Sequence, residues 1–332
     1  MLLVALAAAA VQPQPGTLKT FGDWTVGCDN VRHCQAVALV PPAEDRARYL
    51  LLVIHRDAGP DGRPTLSFST EAALPANGTT LRVDGKPVAR FGGMGPLPFN
   101  AALASALGQG RRATLTDARG RIIASASLTG LAATFLHMDD QQRRLGTAGA
   151  LIRRGSRPDV GVPTAPPLPR IVRPPISARP PRTITSAAAA RLIGPDAASC
   201  EYATGPVAPK AVRLDVRTSM VLVPHPCGNG AYNYFTSVYL LDERARVRPA
   251  TFDRGVGMSE TADNQLTNGD WDAKERLLND DPKARGLGDC GGTASFAWDG
   301  TRFRLTHEAM MGECRGSTDY ITTWRAAVTT AR

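Results

Sequence analysis

Residues 24–83 decide the fold class, because short runs of β-branched, aromatic or alternating apolar residues follow one another there. The runs are WTVGC (24–28), HCQAVAL (33–39), LLVIH (51–55), TLSFST (65–70) and TLRV (80–83). Turn residues separate them, which is typical of antiparallel strands with short connections. The pattern predicts a mainly β fold, β-sandwich or barrel-like, with a few short helices.

Turn and helix signals refine this prediction. Asp84-Gly85 stands between TLRV and KPVARF, which predicts a tight β-hairpin. Asn100 can cap a helix that Gly108 can stop. Apolar residues at helical spacing predict a second helix over about 127–145, packed on the core.

Length and charge divide the chain. Its 332 residues exceed one ordinary core, which favours two domains, at 17–152 and 183–332. Of the formal charge of +9, residues 153–182 carry +6, together with nine prolines. Prolines at this density predict a stiff, extended linker. Because the charge is concentrated there, the domains do not resemble a basic nucleic-acid binder, and we expect no nucleic-acid partner.

Four arginines of this segment, Arg170, Arg173, Arg179 and Arg182, are candidates for peripheral contact with an anionic surface. Two alternatives stay open. The segment can be a solvated linker, or a polyproline ligand for an aromatic groove of a partner.

The N-terminus predicts export. Residues 1–15 read as a signal peptide with a short apolar run and an A-x-A pattern near residue 10, although a basic leader is missing. The alternative is a plain Ala-rich helix. No other segment reaches the roughly 20 apolar residues that a spanning helix needs, so a periplasmic or secreted protein is expected.

The cysteines agree with export, because an even number usually pairs in an oxidising compartment. Cys28 and Cys34 share the first half, whereas Cys200, Cys227, Cys290 and Cys314 share the second. We favour Cys28–Cys34, Cys200–Cys227 and Cys290–Cys314, with other pairings of the last four open. No C-x-x-C spacing supports a metal, and neither a metal nor a cofactor is predicted.

Catalytic signatures are missing from the sequence. GxGxxG at 286–291 lacks a following helix pattern and is interpreted as a disulfide-held turn. We predict no catalytic residue, and His225, constrained between two prolines, is the strongest of five candidate histidines. The adjacent acids Asp139-Asp140 and Asp280-Asp281 are interpreted as solvated surface.

An aromatic run at 231–239 is predicted to form a strand with Tyr232 and Tyr234 on one face. Such a row could bind glycan or peptide, and sheet packing is the other explanation. Together with His225 and the linker arginines, these tyrosines complete the candidate binding residues.

Several motifs resemble a bacterial secreted family known as domain of unknown function 1176. They are FGDWTVGCDN (21–30), MDDQQRRLGTAGAL (138–151), CGNGAYN (227–233), GLGDCG (286–291), FAWDGTRFRL (296–305), MGECRG (311–316) and TWRA (323–326). The first half also resembles the invasion-associated locus B family, through DWTVGC (23–28), LRVDG (81–85) and SLTGL (127–131). Neither resemblance implies catalytic residues.

These observations favour an exported, non-enzymatic binding or interaction protein of the bacterial envelope, whose partner is a protein or glycan. One alternative is an inhibitor of an envelope-attacking enzyme such as lysozyme. Another is a hydrolase of envelope glycan or peptide, which would need a cleft that gathers His225 or His307 with a nucleophile or carboxylate.

Overall fold

The computed structural model describes residues 12–44, 46–92, 95–258 and 263–331. Within those ranges the chain forms 22 β-strands and four α-helices, which confirms the mainly β class. The signal peptide predicted over residues 1–15 lies, up to residue 11, outside the described residues. No helix in the described part is long and apolar enough to cross a bilayer.

Two antiparallel sheets and two helices make up the first half. The strands are Lys19–Phe21 (β1), Trp24–Cys28 (β2), Cys34–Ala38 (β3), Leu51–Arg56 (β4), Pro64–Ser69 (β5), Thr79–Val83 (β6), Lys86–Phe91 (β7), Leu97–Pro98 (β8), Arg112–Thr116 (β9) and Ile122–Ser127 (β10). One sheet has the order β1-β2-β3-β4-β5-β8 and the other β10-β9-β6-β7. The two helices are Ala101–Gln109 (α1) and Leu131–Gln141 (α2). Trp24, Ile54 and Leu66 of the first sheet share one core with Leu81 and Leu115 of the second.

Turn and capping residues explain how the elements of the first half begin, end and connect. Asp84 and Gly85 both adopt positive φ, +46° and +82°, as a two-residue turn between β6 and β7 requires. The Asn100 side chain accepts from Leu103 N and caps α1. That helix ends at Gln109, one residue beyond the predicted stop at Gly108.

The second half contains two further antiparallel sheets. Its strands are Lys210–Arg213 (β12), Ser219–Pro224 (β13), Phe235–Leu241 (β14), Val247–Pro249 (β15), Gln265–Thr267 (β16), Trp271–Asp272 (β17), Leu277–Asp280 (β18), Gly291–Trp298 (β19), Phe303–Met311 (β20), Ile321–Arg325 (β21) and Ala327–Thr330 (β22). One sheet has the order β12-β13-β14-β15, with β16 also on β14, and the other β17-β18-β19-β20-β21. Leu222 and Val238 of the first pack with Phe296, Leu305 and Trp324 of the second.

The outer face of β13 and β14 is covered by helices Ser186–Ile193 (α3) and Pro195–Ala198 (α4). Thr185 caps α3 through its side chain, which accepts from Ala188 N. Val221 and Leu241 pack in the same cluster as Ala189 of α3. This helical cover forms one wall of the cavity described below.

The segment predicted as a linker contacts the second half. Residues 170–173 form strand β11, which pairs in parallel with β22. The Arg173 guanidinium donates to the Glu275 carbonyl, and Arg182 N donates to Ser219 Oγ over 2.9 Å. These contacts hold residues 170–182 along the second half, whereas the sequence predicted a stiff, extended linker between two domains.

The two halves also meet directly. Val37, Leu39 and Val53 of the first half pack against Met311 and Ile321 of the second. Every residue of β3 is buried, because one face covers the first core and the other covers this contact. The two halves therefore share an apolar interface. Their division into two separate domains stays a prediction.

Arginines reinforce this interface. Arg315 donates to the Val40 carbonyl over 3.0 Å. Arg325 Nε lies 2.5 Å from Asp29 Oδ2, whose side chain is buried. Asp29 is the buried partner of this pair, whereas the Arg325 side chain is 38% exposed, so water still reaches one side of it.

A fully buried ion pair corrects the interpretation of Asp139 as solvated surface. Its side chain is fully buried, and Oδ1 accepts from Arg56 Nη2 over 2.6 Å. Asp280 is buried as well, and accepts from the backbone N of Gly257 and Thr267. In both cases partners distant in sequence satisfy the charge, which adjacent-residue patterns do not show.

Candidate functional site

The structure forms three disulfides, Cys28–Cys34, Cys200–Cys227 and Cys290–Cys314. These are the pairings that the sequence favours. Gly286, Gly288 and Gly291 precede and enter β19, so the GxGxxG stretch is a turn beside the third disulfide, followed by a strand.

A cavity of about 760 Å³ lies in the second half between α3, α4 and strand β14. It falls in the range of roughly 300–1,000 Å³ that small-molecule sites occupy. The walls include Leu192 and Ile193 from α3, Phe235 and Ser237 from β14, and residues 263–265. Of the sequence-predicted binding residues, His225 lines this cavity.

The chain around His225 explains its position. Strand β13 ends at Pro224, and Pro226 follows, so residue 225 is biased towards an extended backbone. His225 N donates to the Phe235 carbonyl over 2.9 Å. The Cys200–Cys227 disulfide ties the next turn to the end of α4. His225 is therefore fixed at the cavity wall with 9% of its surface exposed.

His225 belongs to a chain of hydrogen bonds with a defined direction. Gln265 Nε2 lies 3.3 Å from His225 Nδ1, and an amide nitrogen can only donate, so Nδ1 accepts. The imidazole proton then sits on Nε2, which lies 2.8 Å from Ser237 Oγ. Tyr239 lies on the same face of β14 as Ser237, and its hydroxyl donates to the Leu192 carbonyl over 2.9 Å. The chain therefore runs from the Gln265 amide through His225 to Ser237, with each donor giving one proton to the next residue.

Burial controls the charge of this chain. It lowers the pKa of His225, so the imidazole is neutral at pH 7. Burial raises the pKa of Tyr239, and side-chain hydrogen bonds from Asn264 and Ser237 oppose that rise. Uncharged polar groups thus form the floor of the cavity.

The rim has a different character. Asp196 and Asp263 are exposed there, and the described lining residues include neither Lys nor Arg. Such a cavity disfavours an anion and suits a neutral or cationic polar ligand.

The other predicted binding residues lie elsewhere. The prediction of a strand over 231–239 is wrong about where the strand begins. Strand β14 begins at Phe235, and the two tyrosines precede it. Tyr232 packs on the loop at Gly286, and Tyr234 is 54% exposed. Neither is among the residues that line the His225 cavity.

The linker arginines lie apart from the cavity as well. Arg170 and Arg179 are exposed, whereas Arg182 lies 3.8 Å from Glu243 Oε2. The candidate binding residues thus form separate surfaces.

Sequence reasoning missed Ser237 and Gln265. Alternation along β14 places Ser237 and Tyr239 on one face, which a strand assignment could have shown. Gln265 is 40 positions from His225, and no local pattern links them.

Comparison with known proteins defines the class. The family model for the protein of unknown function DUF1176 matches residues 18–330, and the chain belongs to this family. Among individual proteins, it is 28% identical over 323 residues to the uncharacterized protein YpfG of Escherichia coli K12, covering 89% of this chain and 88% of that protein. A crystal structure of invasion associated protein B from Bartonella henselae aligns with a TM-score of 0.31 and 19% identity, over 38% of this chain and 99% of that one.

Proposed function

We propose that this protein is a non-enzymatic binding protein of the bacterial envelope, and that the His225 cavity holds a neutral, hydroxyl-rich ligand such as a glycan segment. The observation that carries the proposal is the directed hydrogen-bond chain from Gln265 through His225 to Ser237, in a cavity with an uncharged floor. Neutral sugars are recognised by such uncharged donors and acceptors beside apolar surface. Phe235 and Pro249 supply that surface here.

The disulfides support the envelope location. Three disulfides fit a non-cytoplasmic compartment, because thiols are kept reduced in the cytosol. Periplasmic or secreted residence, with cleavage near residue 10, is part of the proposal.

Gln265 gives the sharpest test of binding. Its Nε2 donates to His225 Nδ1, whereas its Oε1 accepts no hydrogen bond from another described residue. Titration calorimetry of the full chain with soluble peptidoglycan fragments and with neutral oligosaccharides should detect a complex. Q265L, which keeps the side-chain volume, should weaken it about tenfold through the loss of a buried hydrogen bond.

Q109L is the matched control, because Gln109 is an exposed residue at the end of α1 in the other half. It should bind like the unchanged protein. The proposal fails if no fragment binds, or if Q265L binds as tightly as Q109L.

A hydrolase is the second candidate, because Ser237 Oγ and His225 Nε2 are 2.8 Å apart in a cleft. The direction of the chain opposes it. A general base must accept the hydroxyl proton, whereas His225 here carries its own proton on Nε2. Catalysis would require the Gln265 amide to turn over so that its oxygen accepts from Nδ1.

Nitrogen NMR of the labelled protein decides between the two. Binding predicts a neutral imidazole with the proton on Nε2, and hydrolysis predicts the proton on Nδ1 together with turnover that S237A abolishes. The lysozyme-inhibitor alternative stays a hypothesis, which a lysozyme assay with added protein tests directly.

A further inference from the structure

A second cavity, in the first half, has a composition unlike that of the His225 cavity. It encloses about 580 Å³ between the start of β5, the first turn of α1 and residues 148–154. Phe99, Ala104 and Leu151 are core residues that also form its walls. A ligand here would therefore contact the hydrophobic core.

Two arginines stand at this apolar cavity, Arg63 and Arg154. Arg63 and Arg154 are both exposed. Arg154 Nε donates to the Ala150 carbonyl over 2.8 Å. Neither forms an ion pair within the described part of the chain. Both guanidinium groups are thus available to an outside anion.

The acids behind the cavity wall do not cancel this charge. Asp139 is bound to Arg56, and Asp159 lies 3.5 Å from Arg144. No acidic residue is among the described residues that line the cavity. The first turn of α1 also faces it at Ala101, and the positive end of a helix dipole adds to the same field.

We infer that this cavity binds a single-chain fatty carboxylate, with the carboxylate at Arg63 and Arg154 and the acyl chain against Phe99 and Leu151. Arginine matches a carboxylate with paired N–H donors, and apolar walls favour a hydrocarbon tail. The site is independent of the His225 cavity, which has acids and no arginines at its rim.

Titration calorimetry of the full chain with dodecanoate, below its micelle concentration, tests the inference. Dodecanoate should bind, and shortening the chain to decanoate and octanoate should weaken binding by up to about fourfold for each buried methylene lost. Dodecanol should bind at least tenfold more weakly, and acetate should not bind measurably. Equal affinity for dodecanoate and dodecanol, or for dodecanoate and acetate, would overturn the inference.

Adjacent arginines supply a matched pair of variants. R154E reverses a charge at the cavity, whereas R153E reverses an exposed charge one residue away that does not line it. R154E should lose at least tenfold in dodecanoate affinity, and R153E should lose less than twofold.

A148W provides a second route, because Ala148 is an exposed lining residue whose enlargement blocks the cavity without changing charge. It should abolish dodecanoate binding at unchanged melting temperature. Unaltered binding in both R154E and A148W would place the ligand elsewhere and refute the site. Glycan binding by the same variants should stay unchanged, so the two sites succeed or fail separately.

Discussion

Replacing Asp139 by asparagine should strongly destabilise the first half of the protein. Asp139 Oδ1 accepts from Arg56 Nη2 over 2.6 Å, and Oδ2 accepts from Leu151 N over 2.8 Å. An asparagine keeps one oxygen. If that oxygen stays on Leu151, an NH₂ group faces the guanidinium, donor against donor, and the buried Arg56 charge loses its counter-ion.

Breaking a buried pair by removing one partner costs about 3–5 kcal/mol. Both side chains are fully buried here, so the whole range applies. With roughly 2–4 °C lost per kcal/mol in a folding unit of this size, D139N should melt roughly 6–20 °C below the unchanged protein. Differential scanning calorimetry measures the shift.

D117N is the matched control. Asp117 also pairs with an arginine, Arg121, over 2.8 Å and accepts from the backbone N of Arg119, but Arg121 is 76% exposed. Water replaces the lost contact, so the shift should be much smaller. The reasoning is refuted if D139N and D117N melt together. The double variant R56M/D139N should recover stability relative to D139N, because the asparagine oxygen still accepts from Leu151 N and no buried charge remains.

Three further changes test other parts of the structure. Burial raises the pKa of Asp281 to about 6, with Asp280 adding to the shift, so the folded state holds an extra proton between about pH 4 and 6. Stability should fall as pH rises through that window, and D281N should gain in melting temperature over the unchanged protein up to about pH 6 and keep that gain above it. C200S/C227S opens a loop with a sequence separation of 27 and should cost about 3–4 kcal/mol in chemical denaturation. R170E/R179E should weaken binding to phosphatidylglycerol-containing vesicles at least tenfold in a sedimentation assay.

The controls separate these effects from general damage. E201Q changes an exposed acid and should follow the pH profile of the unchanged protein. R191E reverses an exposed charge on α3 and should bind vesicles normally. An identical pH profile for D281N and E201Q would contradict the burial argument, and equal vesicle binding by R170E/R179E and R191E would remove the linker from membrane contact.

Sequence patterns predicted the elements that adjacent residues determine. Asp84-Gly85 specified a hairpin and Asn100 a cap, because turn and capping chemistry acts over two to four positions. The patterns failed where a partner lies far along the chain. Arg56 is 83 positions from Asp139, so the buried pair looked like solvated surface.

The candidate site follows the same rule. In the sequence, two flanking prolines show that His225 is constrained. Its role in the cavity depends on its hydrogen bonds with Gln265 and Ser237, which belong to other strands. Tyr232 and Tyr234 were singled out for their aromatic run, yet the strand begins after them. Composition identifies unusual residues, and only the register of β14 against β13 and β16 shows which of them meet.

The contacts of the linker arginines show how much of the linker's positive charge is neutralised. Arg157 and Arg173 donate to the carbonyls of Leu145 and Glu275. A hydrogen bond to a carbonyl oxygen orders a guanidinium group without neutralising its charge. Arg182, in contrast, lies near an acid, Glu243. Most of the +6 therefore remains, held along a folded surface. Ordered charges lose less conformational entropy on binding, so this strip should hold an anionic surface more tightly than a disordered segment of equal charge would.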